Sequence, residues 1–178
     1  MAARLWWMLR WIGHDKVAVH DGGFAKWTQE GRPVSVEIPI FTPLNYPIKV
    51  RADLAADVSQ VEKNLGKNLL VDARAPARYR GEQEPIDPVA GRIPGAKNRF
   101  SMDNLTPDGT FKPASELKQD FQKVLENRAP SDVIHYCGSG VAACHNLLAM
   151  EIAGLKGGKL YAGSWSEWSS EGRRPREP

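Results

Sequence analysis

Val133-Ile134-His135-Tyr136, followed by Cys137-Gly138-Ser139-Gly140-Val141, is an apolar run that breaks into a turn of small residues. Val and Ile favour a pleated, buried surface, so the first four residues read as a strand. From Ala142 to about Ala153 the chain is rich in Ala, Leu and Met and reads as a helix. A strand, a glycine loop and a helix in that order set one thiol at the mouth of a ring of backbone N–H groups. Such groups, together with a helix N-terminus, carry partial positive charge and favour an anion. The Cys137 thiol is therefore expected to ionise below the roughly 8.5 of a free cysteine, and the stretch points to thiolate chemistry.

Outward from this loop, strands and helices alternate. A helix is expected at Asp53–Asn64 and a strand at Leu69–Asp72. A loop-rich stretch follows through Pro94-Gly95. A helix at Ser115–Asn127 is expected, with Ser115 as N-cap, then a strand near Leu160 and a short helix at Trp165–Glu171. This alternation predicts an α/β fold with a central parallel sheet flanked by helices. Sites in such sheets form beyond the carboxyl ends of the strands, where Cys137 falls.

Composition narrows the function classes. With 178 residues, 42% of them hydrophobic, the chain can bury a core. Its 24 basic and 21 acidic residues nearly cancel, and no basic stripe interleaves with aromatics, so no nucleic-acid partner is expected. Arg173-Arg174-Pro175-Arg176 reads as a solvated tail. Met1 to Gly13 is apolar and tryptophan-rich, but Arg4 and Arg10 interrupt it. It matches neither a signal peptide nor a membrane span. The expected compartment is the reducing cytoplasm. Two cysteines make no disulfide framework, and Cys144 reads as a packed helix residue. Cys144-His145 lacks zinc-site spacing, so no metal or other cofactor is expected.

The first 34 residues echo the last 37 at a constant offset of 141 positions. Gly13 matches Gly154, Gly22 matches Gly163, and Phe24 and Trp27 match Trp165 and Trp168. Glu30-Gly31-Arg32 matches Glu171-Gly172-Arg173, while Val17-Ala18-Val19 sits more loosely opposite Gly158-Lys159-Leu160. Such self-similarity suggests two copies of one unit. The expected organisation is the truncated tail of a first domain at 1–34, a proline-marked linker at 35–50, and one complete domain at 51–178.

Five motifs complete the pattern: Val71-Asp72-Ala73-Arg74, Arg78-Tyr79-Arg80-Gly81, Gly91-Arg92-Ile93-Pro94-Gly95-Ala96, the Cys137 loop itself, and Gly163-Ser164-Trp165-Ser166-Glu167-Trp168. As an ordered set they resemble the C-terminal, active domain of two-domain sulfurtransferases of the rhodanese and 3-mercaptopyruvate sulfurtransferase type. The stretch Lys16–Pro33 resembles the end of that family's inactive first domain. The resemblance implies a rhodanese-like domain plus the remnant of a second copy at the N-terminus. It also implies covalent catalysis in which Cys137 takes the outer sulfur of thiosulfate or 3-mercaptopyruvate as a persulfide. A thiophilic acceptor such as cyanide or a thiol then removes it.

The implied site is catalytic Cys137 and Ser139, with Arg78 holding the donor's anionic end. Amides of Gly138, Gly140, Val141 and Ala142 cradle the thiolate and the persulfide. For Ser139 a loop-stabilising hydrogen bond is an equal reading, and for Arg78 a salt bridge with Glu82 or Glu84. Asp72 and Arg74 match a strand-end scaffold. Trp165 and Trp168 read as core rather than pocket wall.

The chain departs from the family pattern in several places. A second substrate-binding arginine, nine residues after the Arg78 position, is Asp87 here, the usual threonine after Gly-Val is Ala142, and the usual histidine before Ile-Pro-Gly-Ala is Arg92. With most of a first domain absent, Trp6, Trp7 and Trp11 are expected to lie exposed and to drive self-association. A catalytically weak binding or regulatory module is the alternative function. A cysteine phosphatase would need an arginine closing a Cys-x5-Arg loop, and position 143 is alanine.

Overall fold

The computed structural model describes residues 1–178. Its elements are α1 (Ala2–Trp11), α2 (Gly23–Gln29), β1 (Ala55–Ala56), α3 (Val58–Lys63), β2 (Leu69–Asp72), α4 (Pro76–Tyr79) and β3 (Lys97–Asn98). They continue with α5 (Ala114–Leu125), β4 (Val133–Tyr136), α6 (Val141–Ile152), β5 (Lys159–Tyr161) and α7 (Ser164–Ser170). The five strands form one sheet in the order β1-β5-β4-β2-β3, and every pairing is parallel. The expected central parallel sheet is therefore present. β4 lies at its centre, with its carboxyl end level with that of β2 through the Asp72–Tyr136 pair.

Alternation along the two central strands sorts the core. Leu69, Val71 and Val133 face α5 and α6, where they meet Leu117, Phe121, Leu125, Ala149 and Met150. Leu70, Ile134 and Tyr136 face the other way, onto Val61 of α3 and onto Trp165 and Trp168 of α7. This period of two is what a strand buried on both faces produces. Both tryptophans of α7 are wholly buried, as core residues.

Several boundaries differ from the sequence reading. The expected helix at Asp53–Asn64 is a 3₁₀ turn, the short β1, and then α3, which starts at a capping box between Asp57 and Gln60. That box fixes the start because each side chain satisfies a backbone N–H of the other. Ser115 is not a cap. α5 begins one residue earlier behind Pro113, whose fixed φ suits a helix entry.

The N-terminal segment overturns the expected exposure. α1 lies on α6, and Ala3, Trp6 and Trp7 are buried against Cys144, Leu147 and Leu148. Their i, i+3, i+4 spacing makes one apolar stripe, which finds a partner within the chain. Arg10 bonds Glu151 at 3.1 Å and lies over the Trp6 ring, tying the two helices together. The outer face of α1 leaves Leu5 and Met8 exposed, and the extended 34–50 stretch exposes Val36, Ile38, Ile40 and Leu44.

The 141-residue offset carries into three dimensions. α2 and α7 begin and end 141 positions apart, and α1 and α6 end 141 positions apart. Both helix ends run into a left-handed glycine, Gly13 and Gly154. Val17–Val19 is not a strand, because no neighbouring strand is there to pair with it.

The C-terminal run is solvated only in part: Arg173, Pro175 and Arg176 are exposed, whereas Arg174 is docked. Arg174 is 5% exposed, bonds Glu62 at 2.7 Å and Glu171 at 2.8 Å, and lies over the Trp168 ring. Glu177 pairs with Arg92 through both backbone and side chain. A guanidinium that caps a buried indole and meets two carboxylates is worth more than a hydrated one.

Candidate active site

Because all strands run parallel, the segments leaving β2, β4 and β5 gather at one edge of the sheet. Arg74 and Arg78 follow β2, the Cys137 loop follows β4, and Ser164 to Ser166 follow β5. A cavity of about 620 Å³ opens there. Cys137, Gly138, Ser139, Val141, Ala142 and Arg78 all border it, so the predicted site residues are brought together, except that Gly140 lies behind the loop.

The loop is held from behind. Trp165 N–H donates to the Cys137 carbonyl at 3.0 Å and Ser166 N–H to the Gly138 carbonyl at 2.9 Å. The Cys137 amide donates to Ser164 Oγ at 3.1 Å, and that hydroxyl donates to the Tyr161 carbonyl. Ser164 adopts φ +56, a strained value that places its hydroxyl under the loop. The carbonyls of the loop are thus turned inward. Its N–H groups are not: from Gly138 through Ala143 none donates to a protein acceptor. The last three open α6, whose first amides have no partner within the helix. Four residues of this run of free donors, Gly138, Ser139, Val141 and Ala142, border the cavity, an arrangement able to receive an anion.

The loop's glycines do different work. Gly140 needs its left-handed φ of +75, and a Cβ there would lie 2.6 Å from the Ala162 carbonyl oxygen. Gly138 has ordinary φ, and its Cβ would meet nothing closer than the Arg78 guanidinium at 3.5 Å. Its smallness keeps the space above the loop open.

Cys137 itself is 3% exposed, at the floor of the cavity. Ser139 is exposed and its hydroxyl makes no bond within the chain, so the loop-stabilising reading does not hold. Arg78 bonds both Glu84, through Nε at 3.2 Å and through Nη2, and Asp87, through Nη2 at 3.2 Å. Glu82 instead pairs with Arg80. Burial opposes ionisation of Glu84, but the Arg78 guanidinium and the amides of Asp87 and Ile86 hold it below the usual carboxylate range. Arg74 is fully engaged as scaffold by Asp72 and by the Gly91 carbonyl. Cys144 donates its thiol to the Gly140 carbonyl, and burial pushes that thiol up to about 11, so it is inert packing.

Some residues were not anticipated. Arg4, from α1, donates to the Gly140 carbonyl at 3.3 Å. Phe111 stacks on His145 at 4.6 Å along the cavity wall, and Asp21 accepts the Phe111 amide at 2.9 Å. Ser166 places its hydroxyl between Asp87, at 2.6 Å, and the Gly138 carbonyl, at 2.7 Å. Nothing in local sequence marks these pairings, because each joins segments far apart in the chain.

A parallel sheet, a cysteine after its central strand and a loop of free amides define a class, and comparison agrees. Residues 57–171 match the rhodanese-like domain, and the chain belongs to that family. Over 177 residues it is 46% identical to the probable 3-mercaptopyruvate sulfurtransferase of Pseudomonas aeruginosa, covering 98% of this chain and 62% of that protein. It is 40% identical to the thiosulfate sulfurtransferase of Mus musculus, covering 94% of this chain and 58% of that one. The chain thus spans about 60% of the length of these curated relatives. Among solved structures it resembles the anaerobic ergothioneine biosynthesis enzyme from Chlorobium limicola in complex with trimethyl histidine. There the TM-score is 0.86 at 26% identity, over 99% of this chain and 44% of that one.

Proposed function

We propose that the chain carries the catalytic centre of a sulfurtransferase that moves sulfane sulfur from thiosulfate or 3-mercaptopyruvate to cyanide or a thiol through a Cys137 persulfide. The observation that carries this reading is Cys137 on the cavity floor with the free amides of Gly138 to Ala143 around its loop. Its relatives are named for both donors. The thiolate attacks the outer sulfur and forms an S–S bond. With thiosulfate the central S–S bond breaks and sulfite leaves with the electron pair. With 3-mercaptopyruvate the C–S bond breaks, and the pair passes to the enolate of pyruvate, which takes up a proton. Cyanide then attacks the terminal sulfur, leaves as thiocyanate and restores the thiolate. The attacking thiolate, the persulfide and the thiolate restored by cyanide all place sulfur beside the same amides, so one preorganised cradle serves both half-reactions.

Residues 51–178 would form the catalytic domain and 1–34 the closing portion of a preceding copy, a reading supported by the shared helix limits of α1 with α6 and α2 with α7. No helix is long and apolar enough to cross a membrane. Two unpaired thiols suit a reducing cytoplasm.

The alternative, a catalytically weak binding or regulatory module, draws on the double pairing of Arg78 with Glu84 and Asp87. Intact mass after incubation with each donor separates the two. Gain of one sulfur atom, lost in Cys137→Ser and discharged by cyanide, is the expected result. No adduct with either donor, in folded protein with a free Cys137 thiol, would overturn the enzyme reading.

A further inference from the structure

Three carbonyls of the Cys137 loop are gripped, and they are not gripped alike. Trp165 and Ser166 of α7 hold those of Cys137 and Gly138 through backbone N–H groups. The third belongs to Gly140, the residue before α6. In each of the other six α-helices that residue's carbonyl accepts the N–H four residues on, as Gly163 does from Glu167. The Gly140 carbonyl accepts no backbone N–H. Its partners are Arg4 Nη1 at 3.3 Å, from a helix 136 residues earlier in the chain, and the Cys144 thiol at 3.2 Å. A thiol is a weak donor, and a guanidinium makes the stronger, charge-assisted bond. Arg4 lies over the Trp7 ring and, unlike Arg74 and Arg78, has no carboxylate partner. A peptide unit is planar, with its C=O and N–H pointing opposite ways, so fixing the oxygen aims the hydrogen. Holding Cys137, Gly138 and Gly140 by their oxygens therefore aims the N–H groups of Gly138, Ser139 and Val141, three residues that border the cavity.

We propose that Arg4 is a positioning residue for sulfur transfer: carried by α1, it takes the place of the missing helix bond at the Gly140 carbonyl and so keeps the Val141 N–H turned toward the sulfur on Cys137. This rests on the sulfurtransferase reading above. The Gly138 and Ser139 donors are fixed by α7 and do not need Arg4, whereas the Val141 donor does. Without the guanidinium the Gly140 carbonyl would swing toward the Cys144 N–H, as in an ordinary first helical turn, and carry the Val141 N–H with it. A cation on the carbonyl also polarises the peptide, which makes its N–H a stronger donor. Burial of Ala3, Trp6 and Trp7 against α6 is what delivers Arg4 to the loop.

The test reads the amide proton shifts of Gly138, Ser139 and Val141 by NMR, before and after persulfide formation with thiosulfate or 3-mercaptopyruvate, in the parent chain, Arg4→Met and Arg4→Lys. Single-turnover rates of persulfide formation are measured alongside. In the parent chain all three amides are expected to move downfield as the persulfide forms. In Arg4→Met the Val141 response is expected to vanish while those of Gly138 and Ser139 persist. The maximal rate should fall on the order of tenfold, less than for outright loss of an oxyanion donor, with the half-saturating donor concentration within about twofold. Arg4→Lys keeps the charge and a donor without the planar fork, and should recover part of both the rate and the Val141 response. A parent-like Val141 response in Arg4→Met, an equal loss at all three amides, a rate loss carried only by the half-saturating concentration, or no recovery in Arg4→Lys would each overturn the inference. Should Arg4→Met fail to fold, the parent chain and Arg4→Lys still decide, since a Val141 amide that does not respond in the parent, or responds in full in Arg4→Lys with the rate lost, contradicts the proposed role. Absence of persulfide in the parent chain would instead overturn the sulfurtransferase reading beneath it.

Discussion

Gly140→Ala tests whether the loop is held by backbone fit. The substitution has two costs. Gly140 sits at φ +75, where an L-residue loses roughly 1–2 kcal/mol. Its new Cβ would also lie 2.6 Å from the Ala162 carbonyl oxygen and 3.1 Å from the Ala162 Cα. Those atoms belong to the short connection between β5 and α7, which leads directly into Ser164 and Ser166 of α7 held against the loop, so they cannot retreat alone. Overpacking of this kind costs about 1–3 kcal/mol, for a total of roughly 2–5 kcal/mol. Urea unfolding with Gly95→Ala and Gly138→Ala as controls isolates the terms. Gly95 has φ +71 with open space around its Cβ, so only the conformational cost applies. Gly138→Ala meets ordinary contacts and should leave stability within about 1 kcal/mol, yet slow persulfide formation by narrowing the space beside Arg78. Equal destabilisation at Gly140 and Gly95 would refute the steric argument, and full activity in Gly138→Ala would refute the open-space argument.

Burial holds His135 down at about 3, with Nδ1 unpartnered and Nε2 against Met150 Sδ at 3.0 Å. A folded value below the unfolded 6.5 leaves stability intact above pH 6.5 and drains it as pH falls from 6.5 toward 3, by about 2 kcal/mol at pH 5. The difference between the parent chain and His135→Leu in urea midpoints at pH 7 and pH 5 should show that loss, and a constant difference would contradict it. Arg174→Met should cost roughly 1–3 kcal/mol by removing the closer of the two Glu62 pairings and uncapping Trp168, seen as a lower thermal midpoint. A solvated tail would give no change.

What the sequence made legible follows pattern strength. β2 and β4 have the expected limits because each is a short, mostly apolar run with a buried partner on both sides. β1 and β3 have two residues each and no pattern of their own, and exist only by pairing with β5 and β2. The docking of Arg174 and of α1 was illegible for a related reason. A run of arginines or an apolar helix does not reveal that Trp168 or α6 stands ready to receive it. At the site, Cys137 and its loop were legible because the chemistry lies within consecutive residues. Ser166 was not, since its role arises where the segments after β2, β4 and β5 converge.

That convergence bears on how a thiolate at Cys137 would be stabilised. A cationic side chain would serve as well as amides in isolation, but here Arg74 and Arg78 are already matched by Asp72, Glu84 and Asp87, and Arg4 is turned onto the Gly140 carbonyl behind the loop. The amides from Gly138 to Ala143 are not matched by anything. They cannot rotate away, because α7 grips the Cys137 and Gly138 carbonyls and Gly140 is wedged against Ala162. Fixed dipoles of this kind need no reorganisation when charge moves from one sulfur to the next, which is what a persulfide cycle demands. On the proposed reading the division is consistent throughout the site: backbone donors would hold the reacting sulfur, while the side chains of Asp72, Arg74, Arg78, Glu84 and Asp87 hold one another.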